Sequence, residues 1–292
     1  MAATTWTWTD DLGHRIELDQ PPTRIVGYAQ AAATLASHGV PVAGWFGSQH
    51  AAESGSGASG PGQLAASRFL GAGSEFDLDA VHALAPDLIV SVSYGGELYG
   101  VPAPVADRLA ELAPAVRIRV GAGRSLTGLI ARFAELAGTI VGDAGTGGAG
   151  SGGTALTDAA TARLAGAGHG RVLALSGGTP DEAYLANPDF WADLGHLAAA
   201  GVTMCPPVPS PGGGWAVVGW DALARYNADI LLYDRRANSL PAEERNRIAA
   251  WAALPAVAAG RVLPWEPEPV YTDTAAAQFV DTVRLALADL PT

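Results

Sequence analysis

The sequence predicts an α/β protein of two similarly built lobes, each with a mostly parallel sheet. The first observation is a compact unit, Phe76 to Ser93, in which an acidic turn and a short amphipathic helix lead into a buried strand. The second is its recurrence at Val218 to Arg235, where an Asp-Ala-aliphatic triplet again stands eight positions before an Asp that opens an apolar run. Units of this kind are common in α/β proteins, but the matching spacing favours two related lobes. The third is length, since 292 residues suffice for two cores of ~100–200 residues each.

A hairpin and an alternation of strand and helix signals predict the first lobe. Polar and apolar residues alternate from Trp6 to Leu18 around an Asp-Asp-Leu-Gly turn, which predicts an edge hairpin. Residues 23–120 then predict one lobe with a mostly parallel sheet. Its strands are expected at Arg24–Tyr28, Val42–Phe46, Phe69–Leu70, the end of the Phe76–Ser93 unit and Val116–Val120, its helices at Ala31–His38, within Phe76–Ser93 and at Pro104–Leu112, and a surface loop at Ser48–Ser67.

A helix and a glycine-rich run precede the second lobe. Apolar residues recur with helical spacing over Ser125–Val141. The run Gly142–Gly153 lacks a preceding strand and any lysine, so a flexible linker is favoured over a phosphate-binding loop. The elements expected after it are helices at Thr154–Leu164, Asp189–Ala199, Ala242–Ala252 and Thr274–Leu287, strands at Arg171–Ser176, Val202–Cys205 and Arg261–Trp265, and the unit within Val218–Arg235.

These elements predict three segments in the chain. We place an N-terminal lobe at residues 1–141, a Gly-rich insertion and a bridging helix at 142–170, and a C-terminal lobe at 171–292. The chain is expected to cross between the lobes once, through a helix.

Composition excludes several classes of function. The net charge of −12 and the absence of lysine oppose a nucleic-acid or acidic-membrane role, as well as Schiff-base and phosphate-loop chemistry. Cys205 is the only cysteine, which excludes an internal disulfide and a thiolate zinc site. No run reaches the ~18–20 apolar residues of a membrane span. Residues 1–11 lack the pattern of a secretory signal, so we expect an extracytoplasmic, membrane-associated protein if an upstream signal was removed and a cytoplasmic one otherwise.

No catalytic or metal-binding motif is present in the sequence. Neither a nucleophile elbow, an H-E-x-x-H pair, a Walker loop nor a C-x-x-C pair occurs. The six histidines are scattered singly, so a metal site would need several of them to converge on folding. We therefore predict no catalytic residues and no metal ligands.

Aromatic residues recur where the predicted strands end. In parallel α/β sheets ligands lie outside the carboxyl ends of the strands, so two such lobes would present an aromatic-walled cleft. The set favours a bulky, partly apolar ligand, although any single ring is more often core or surface. Its members are Tyr28, Trp45, Phe46, Tyr94 and Tyr99 in the first lobe and Tyr184, Trp215, Trp265 and Tyr271 in the second.

Five segments together resemble a known family. They are RIV, LASHGVPVAGWFG, FDLDAVHALAPDLIV, VGWDALARYNADILLY and WAALPAVAAGRVLPW. Over about residues 8–290 the chain resembles the class III substrate-binding proteins of ABC importers, which carry ferric siderophores, haem or cobalamin. The resemblance implies two Rossmann-like lobes joined by a single bridging helix, a ligand cleft between the lobes and no catalysis.

The resemblance also implies roles for particular residues. An acidic residue on each lobe docks onto the permease, and those positions carry Asp79 and Asp221 here; the alternative is that both are helix caps. Hydroxamate binders often carry an arginine where this chain has Gly73 and Ser74. The implied ligand shelf comprises Tyr28, Trp45, Tyr94, Trp215, Trp265 and Tyr271, with Arg68 and Arg235 as anion partners, and the strand-end pattern adds Tyr184.

The sequence thus predicts a substrate-binding protein of an ABC importer that takes up iron by binding a ferric siderophore. A hydroxamate is favoured, because a triply anionic catecholate would meet a net-negative protein with few candidate arginines. Iron would be held by the siderophore, so no cofactor is expected. The predicted partners are the chelate and a permease, with the chain itself a monomer. The alternative is an intracellular protein that uses this fold as an enzyme or carrier for a small metabolite.

Overall fold

The computed structural model describes residues 5–48, 61–142, 153–167, 169–208 and 213–291, which form two compact units. The first unit comprises residues 1–120, 128–153 and 268–272, and the second comprises 121–127, 154–267 and 273–292. Residues 143–152 of the predicted Gly-rich insertion lie outside the described residues. No helix among the described residues is long and apolar enough to span a bilayer.

The first unit contains a hairpin and a five-stranded parallel sheet. The hairpin pairs β1 (Trp6–Thr9) with β2 (Arg15–Leu18), as predicted. The sheet has the order β5-β4-β3-β6-β7, and every neighbouring pair is parallel. This confirms the predicted strands. Their bounds are β3 Ile25–Tyr28, β4 Val42–Gly47, β5 Arg68–Ala72, β6 Leu88–Ser93 and β7 Ala115–Arg119.

Helices connect these parallel strands, as crossovers between parallel strands require. Asp77 caps one of them, α3, by accepting a hydrogen bond from the Ala80 amide at 2.8 Å. The helices are α1 Ala29–Ser37, α2 Pro61–Leu64, α3 Leu78–Leu84, α4 Ala103–Leu112 and α5 Leu126–Val141, with a 3₁₀ helix at Gly73–Glu75.

The second unit contains a mixed sheet, only part of which the sequence predicts. The order is β11-β9-β8-β12-β13, with β10 paired to β8. β8, β10, β12 and β13 pair in parallel, whereas β9 and β11 are antiparallel to their neighbours and were not predicted. Both are five-residue segments in which only a short alternation marks a strand. The bounds are β8 Arg171–Gly177, β9 Glu182–Ala186, β10 Thr203–Met204, β11 Trp215–Gly219, β12 Ile230–Asp234 and β13 Val262–Trp265.

Both faces of this sheet are buried. Val172 and Ala174 of β8 belong to one apolar cluster, whereas Leu173 and Leu175 belong to another. Because side chains alternate along a strand, the two clusters lie on opposite faces. Burial on both faces explains the near-continuous apolar composition of β8 and β12.

The helices of the second unit depart from the prediction at two places, one of which is the short helix Pro255–Ala258, which was not predicted. The single helix expected at Ala242–Ala252 is two short helices, because Ile248 has ψ 113° and leaves the helical conformation. α6, to which the bridging role was assigned, lies in this unit, and its bridging role stays a prediction. The helices are α6 Ala155–Leu164, α7 Ala192–Ala199, α8 Ala242–Arg245, α9 Ala249–Ala252, α10 Pro255–Ala258 and α11 Asp273–Ala288, with a 3₁₀ helix at Trp220–Tyr226.

A short segment, Glu268–Thr272, returns the chain to the first unit and was not predicted. The Gln30 amide donates to the Pro269 carbonyl at 3.0 Å, and the Tyr271 amide donates to the Thr34 hydroxyl at 3.2 Å. The Tyr271 ring stacks on Phe133 with centroids 5.6 Å apart. Tyr271 therefore packs in the first unit, and its assignment to the second lobe was wrong, as was the expectation of a single crossing.

The internal repeat is reproduced in the hydrogen bonding of both units. Asp87, just before β6, accepts from the amides of Thr23 and Arg24 at 2.9 and 2.8 Å. Asp229, just before β12, accepts from the amide of Arg171 at 2.8 Å. In each unit the second aspartate of the repeat thus fixes the start of the neighbouring strand.

The turn that precedes each of these aspartates is also the same. Ala85 and Asn227 have positive φ values of 45° and 46°, and each ends the helix of its unit. The Arg24 side chain donates to the Ala85 carbonyl at 2.7 Å, and that of Arg171 donates to the Tyr226 carbonyl at 3.0 Å. The same turn and the same aspartate contact in both units agree with the predicted pair of lobes.

Candidate functional site

In the first unit a cavity of about 380 Å³ lies at the carboxyl ends of three strands. Ser48 follows β4, Gly73 and Ser74 follow β5, and the segment from Glu97 to Ala103 belongs to the connection after β6. This is the edge at which parallel α/β sheets bind ligands. Glu97 is the one charged residue among the described residues that line the cavity.

Tyrosines form the aromatic side of this region. Tyr99 lines the cavity, and its ring meets those of Tyr94 and Tyr28 edge to face, with centroids 4.9 and 5.1 Å apart. Tyr94 is partly exposed, whereas Tyr28 is only 1% exposed. The predicted residue Tyr94 therefore has solvent-exposed surface. Tyr28 has almost none, and its ring packs against that of Tyr99.

Tyr28 is held by the returning segment. Its hydroxyl donates to the Glu268 carboxylate at 2.5 Å, and both groups are buried. Burial raises the pKa of Tyr28 well above its usual value, and the charge of Glu268 adds to this shift. Tyr28 is therefore a neutral hydrogen-bond donor throughout the physiological pH range.

Gly100 brings the backbone of the cavity close to Tyr28. Its φ is 85°, and a Cβ atom at this position would lie 2.7 Å from the Tyr28 ring. Only glycine combines this conformation with so close an approach. The tyrosine layer and the cavity wall are thus in direct contact.

Two other predicted residues of the first unit lie away from the cavity. Trp45 is buried, belongs to an apolar cluster with α1 residues and contacts the Phe69 ring at 4.5 Å. Arg68 is exposed, but as the first residue of β5 it lies at the amino end of that strand. Their assignment to the ligand surface is not supported by these positions.

In the second unit three tryptophans pack against one another. Trp191 lies 5.1 Å from Trp215 and 5.9 Å from Trp265, and the latter two lie 5.7 Å apart, all measured between ring centroids. Trp265 is 1% exposed, whereas Trp215 is partly exposed. Trp265 is therefore a core residue. Trp215 is the first residue of β11 and so does not follow a strand, contrary to the prediction.

A buried acid holds this tryptophan cluster. Asp193, in the first turn of α7, accepts a hydrogen bond from the Trp265 indole at 2.7 Å. Burial raises the pKa of Asp193 to about 6, although the Trp265 bond and the Leu194 amide oppose the shift. No feature of the sequence marked Asp193, since a single acid near a helix start is usually exposed.

Tyr184, another predicted ligand residue of the second unit, lies in β9. It is the central residue of this strand, so its expected place past a strand end is wrong, whereas its role in ligand binding stays a prediction. Its ring lies where a Cβ atom at Gly178 would be 2.6 Å from Cζ. It keeps partial exposure.

Arg235 lies at the carboxyl end of β12, as predicted. It is exposed and makes a long ion pair with Glu266, with 3.5 Å between Nε and the carboxylate. The next residue, Arg236, is paired with the buried Asp234 at 2.8 Å and lies 5.7 Å from the Trp215 ring. Asp234, Arg235 and Arg236 line a second cavity, of about 360 Å³.

Asp79 and Asp221 occupy equivalent exposed positions. Each lies in the first turn of its helix, but α3 is capped by Asp77 and the 3₁₀ helix Trp220–Tyr226 has no side-chain cap. Neither Asp79 nor Asp221 accepts a hydrogen bond or forms an ion pair with the described part of the chain. Neither is therefore the N-cap residue, but each is a first-turn acid that complements the helix dipole, so both the docking role and the structural alternative stay predictions.

The described residues bring no group of three or more His, Cys, Asp or Glu side chains together as metal ligands. The two cavities differ in charge, with a glutamate in the first and arginines in the second. Glu97 and Arg245 were not predicted from the sequence. Both follow a strand that ends at the carboxyl edge of its sheet, but this position alone does not distinguish a charged residue from its neighbours.

Two α/β units, one with a parallel and one with a mixed sheet, and cavities beyond the strand ends define a binding-protein architecture, and the chain has the fold of the class III substrate-binding proteins. Among solved structures it is similar to DesE, a ferric-siderophore receptor protein from Streptomyces coelicolor. The two are 28% identical, with 97% of this chain and 98% of that chain covered and a TM-score of 0.83. No family model and no curated protein sequence matches the chain.

More distant structures share the fold. The siderophore periplasmic binding protein from the fuscachelin gene cluster of Thermobifida fusca is 20% identical, with 92% and 98% of the two chains covered and a TM-score of 0.65. The Fe³⁺-Desferal-bound siderophore binding protein FhuD from Vibrio cholerae is 18% identical, with 91% and 98% covered and a TM-score of 0.64. At these identities the likeness concerns the fold.

Proposed function

We propose that this chain is the substrate-binding component of an ABC importer and binds a ferric siderophore outside the cytoplasmic membrane. The observation that carries the proposal is the likeness to DesE, a ferric-siderophore receptor, over nearly the whole of both chains. The partly exposed aromatic rings near the sheet ends suit a bulky, partly apolar chelate. The role is binding and delivery without catalysis, and iron is cargo held by the siderophore.

The proposed ligand surface consists of residues whose side chains are at least partly exposed to solvent. In the first unit these are Tyr94, Tyr99 and Glu97, and in the second Trp215 and Arg235, with Tyr184 as a further candidate. Two of the buried residues predicted from the sequence act indirectly, because Tyr28 contacts the Tyr99 ring and Trp265 contacts the Trp215 ring. The other two, Trp45 and Tyr271, are buried and contact the rings of Phe69 and Phe133.

Charge favours a hydroxamate over a catecholate. Glu97 is the charged lining residue of the first cavity, and the protein carries a net charge of −12. An anionic group held ~4 Å from this carboxylate is disfavoured by about 1 kcal/mol in water-like surroundings and by up to about 4 kcal/mol where solvent is partly excluded. A neutral or cationic trihydroxamate chelate avoids this repulsion.

Asp79 and Asp221 are proposed to dock the loaded protein onto its permease. Both carboxylates are exposed and lie at the same position of the two repeated units. Their charge is not used within the described part of the chain, so it is available to arginines on a partner.

Fluorescence titration tests the binding proposal. Quenching of intrinsic tryptophan emission is measured against ferrioxamine, ferrichrome, a ferric catecholate, haem and cobalamin. We expect saturable binding of a ferric hydroxamate with Kd below ~10 μM, which corresponds to ~7 kcal/mol. Saturation by haem or cobalamin alone, or by none of the panel, would refute the proposal.

Single-ring variants locate the ligand on each unit. Tyr94→Ala and Trp215→Ala are expected to weaken binding about tenfold, the loss of ~1.4 kcal/mol of stacking and burial. Phe69→Ala is the matched control, because Phe69 is an exposed aromatic of the same sheet that does not line the cavity. Equal losses in all three variants would mean that the effect is not specific to Tyr94 and Trp215.

A further inference from the structure

The second cavity, at the end of β12, carries an unusual concentration of positive charge. Arg235, Arg236 and Arg245 line it, together with one acid, Asp234. Three of the 17 basic residues of a chain with net charge −12 therefore surround about 360 Å³. This volume lies at the lower end of the ~300–1,000 Å³ typical of small-molecule sites.

The charges inside the cavity do not balance. Asp234 is fully engaged by Arg236, whose Nε lies 3.1 Å from each of its carboxylate oxygens. Arg235 has the long contact with Glu266 described above. Arg245 makes no ion pair with any described residue, and its buried Nε has no hydrogen-bond acceptor among them. A buried donor without an acceptor is costly, so the position favours an anionic group.

Arg245 is also held in place by aromatic rings. Its guanidinium lies 3.9 Å from the centroid of Tyr233 and 4.8 Å from that of Trp251, and both rings are buried. The Tyr233 hydroxyl donates to the Leu240 carbonyl at 2.9 Å, which fixes this ring. An arginine immobilised on aromatic faces keeps its N–H groups for oxygen acceptors and loses little side-chain entropy on binding.

We propose that this cavity is a binding site for a small oxyanion, a carboxylate or a phosphate, with Arg245 as its principal ligand and Arg235 as a second donor. Guanidinium groups bind both kinds of anion through paired N–H···O bonds. The proposal goes beyond siderophore binding, because Arg245 and the rings that hold it are not part of the proposed ligand surface. The anion has two sources, a free oxyanion or a carboxylate arm of a bound chelate.

Calorimetric titration with inorganic phosphate and with citrate tests the proposal on the intact chain at low ionic strength. We expect saturable binding of at least one probe, weakened at least tenfold in Arg245→Gln. Arg247→Gln is the matched control, because Arg247 is exposed, paired with Glu243 and absent from the cavity wall. No saturation below ~10 mM for either probe, or equal weakening by both substitutions, would overturn the proposal.

A second measurement separates loss of the site from loss of the fold. Trp251 lies beneath Arg245, so an anion at Arg245 should change the emission of Trp251 in the wild type, and Trp251→Phe should remove that change. Arg245→Lys, which keeps the charge but not the paired donors, should bind at an intermediate level. An anion-induced change that persists in Trp251→Phe and in Arg245→Lys alike would place the anion elsewhere.

The source of the anion is decided by repeating the titration with saturating ferrioxamine and with a carboxylate-bearing ferric chelate. Phosphate or citrate binding that survives both chelates indicates a site for free oxyanions. Binding that is lost only with the carboxylate-bearing chelate indicates a site for its arm. The first titration uses no siderophore, so failure of the proposed function leaves its outcome readable.

Discussion

The buried carboxyl of Asp193 predicts a stability that falls as pH rises. Its pKa is about 6 in the folded chain, against 3.8 for an unperturbed aspartate, so the folded state favours the protonated form. This contribution is fully present below pH ~4 and is lost as pH rises through 6. A shift of about two pKa units corresponds to about 3 kcal/mol. Asp193→Asn removes the titration but leaves an oxygen to accept the Trp265 indole hydrogen bond.

The assay is urea unfolding followed by tryptophan emission, at intervals from pH 4.5 to 7.5. We expect the stability of Asp193→Asn relative to the wild type to rise by about 2 kcal/mol from pH 4.5 to pH 7.5, because about 1 of the ~3 kcal/mol is already lost at pH 4.5. His196 also makes the stability of each protein depend on pH, because burial lowers its pKa and its contribution to stability is lost as pH falls below 6.5. This contribution is the same in the wild type and in Asp193→Asn, so it cancels in the difference between their free energies of unfolding.

Asp189→Asn is the control, since Asp189 is an exposed acid three residues before α7. Its stability difference from the wild type should not change with pH. The reasoning is refuted if Asp193→Asn differs from the wild type by the same amount at every pH, or if the variant is the less stable protein at pH 7.5. Either result would mean that Asp193 is ionised in the fold without penalty.

Three further predictions concern docking, selectivity and packing. The double variant Asp79→Arg with Asp221→Arg should abolish siderophore-dependent growth while its affinity for the ferric siderophore stays within twofold of the wild type. Asp107→Arg, at another exposed acid, should leave growth unchanged. Reduced affinity in the double variant would contradict the docking role. Glu97→Gln should improve the binding of ferric catecholates relative to hydroxamates about tenfold in the quenching assay, since it removes a like charge, and an unchanged ratio would exclude Glu97 from selectivity. Gly100→Ala should lower the free energy of unfolding by about 2–3 kcal/mol, because the new side chain is strained at φ 85° and clashes with Tyr28. Gly62→Ala is the control and should be neutral in the same urea titration, because the space around Gly62 is open.

The fold was largely predictable because its signals are local. Parallel strands buried on both faces leave continuous apolar runs, and the parallel strands of both units were identified from such runs. β9 and β11 were missed because their pairing is antiparallel and one of them is an edge strand with exposed Val217. The return of Glu268–Thr272 to the first unit depends on contacts with α1 that no local pattern records.

The candidate site was less predictable, because a residue's exposure is decided by distant neighbours. Tyr28 and Trp265 follow or end strands as predicted, yet Glu268 covers one and α7 covers the other. Glu97 and Arg245 each contribute charge to a cavity, and a lone charged residue in a loop or a short helix has no distinguishing signal in the sequence. Residue type thus indicated the aromatic character of the strand ends but not which rings are exposed.

The two units share the features that stabilise the fold but differ in the residues proposed to bind ligands. Both units have a positive-φ turn residue, Ala85 or Asn227, followed by an aspartate, Asp87 or Asp229, that accepts hydrogen bonds from the start of the neighbouring strand. These features lie at the amino ends of β6 and β12.

The carboxyl ends of the same strands share no such pattern. A tyrosine layer with Glu97 follows β6, whereas an arginine cluster with Tyr233 and Trp251 follows β12. A duplicated scaffold whose two binding edges have opposite charge favours the recognition of chemically different groups by each unit. This is why the quenching and phosphate titrations should respond to different substitutions, Tyr94→Ala and Arg245→Gln, each without effect on the other.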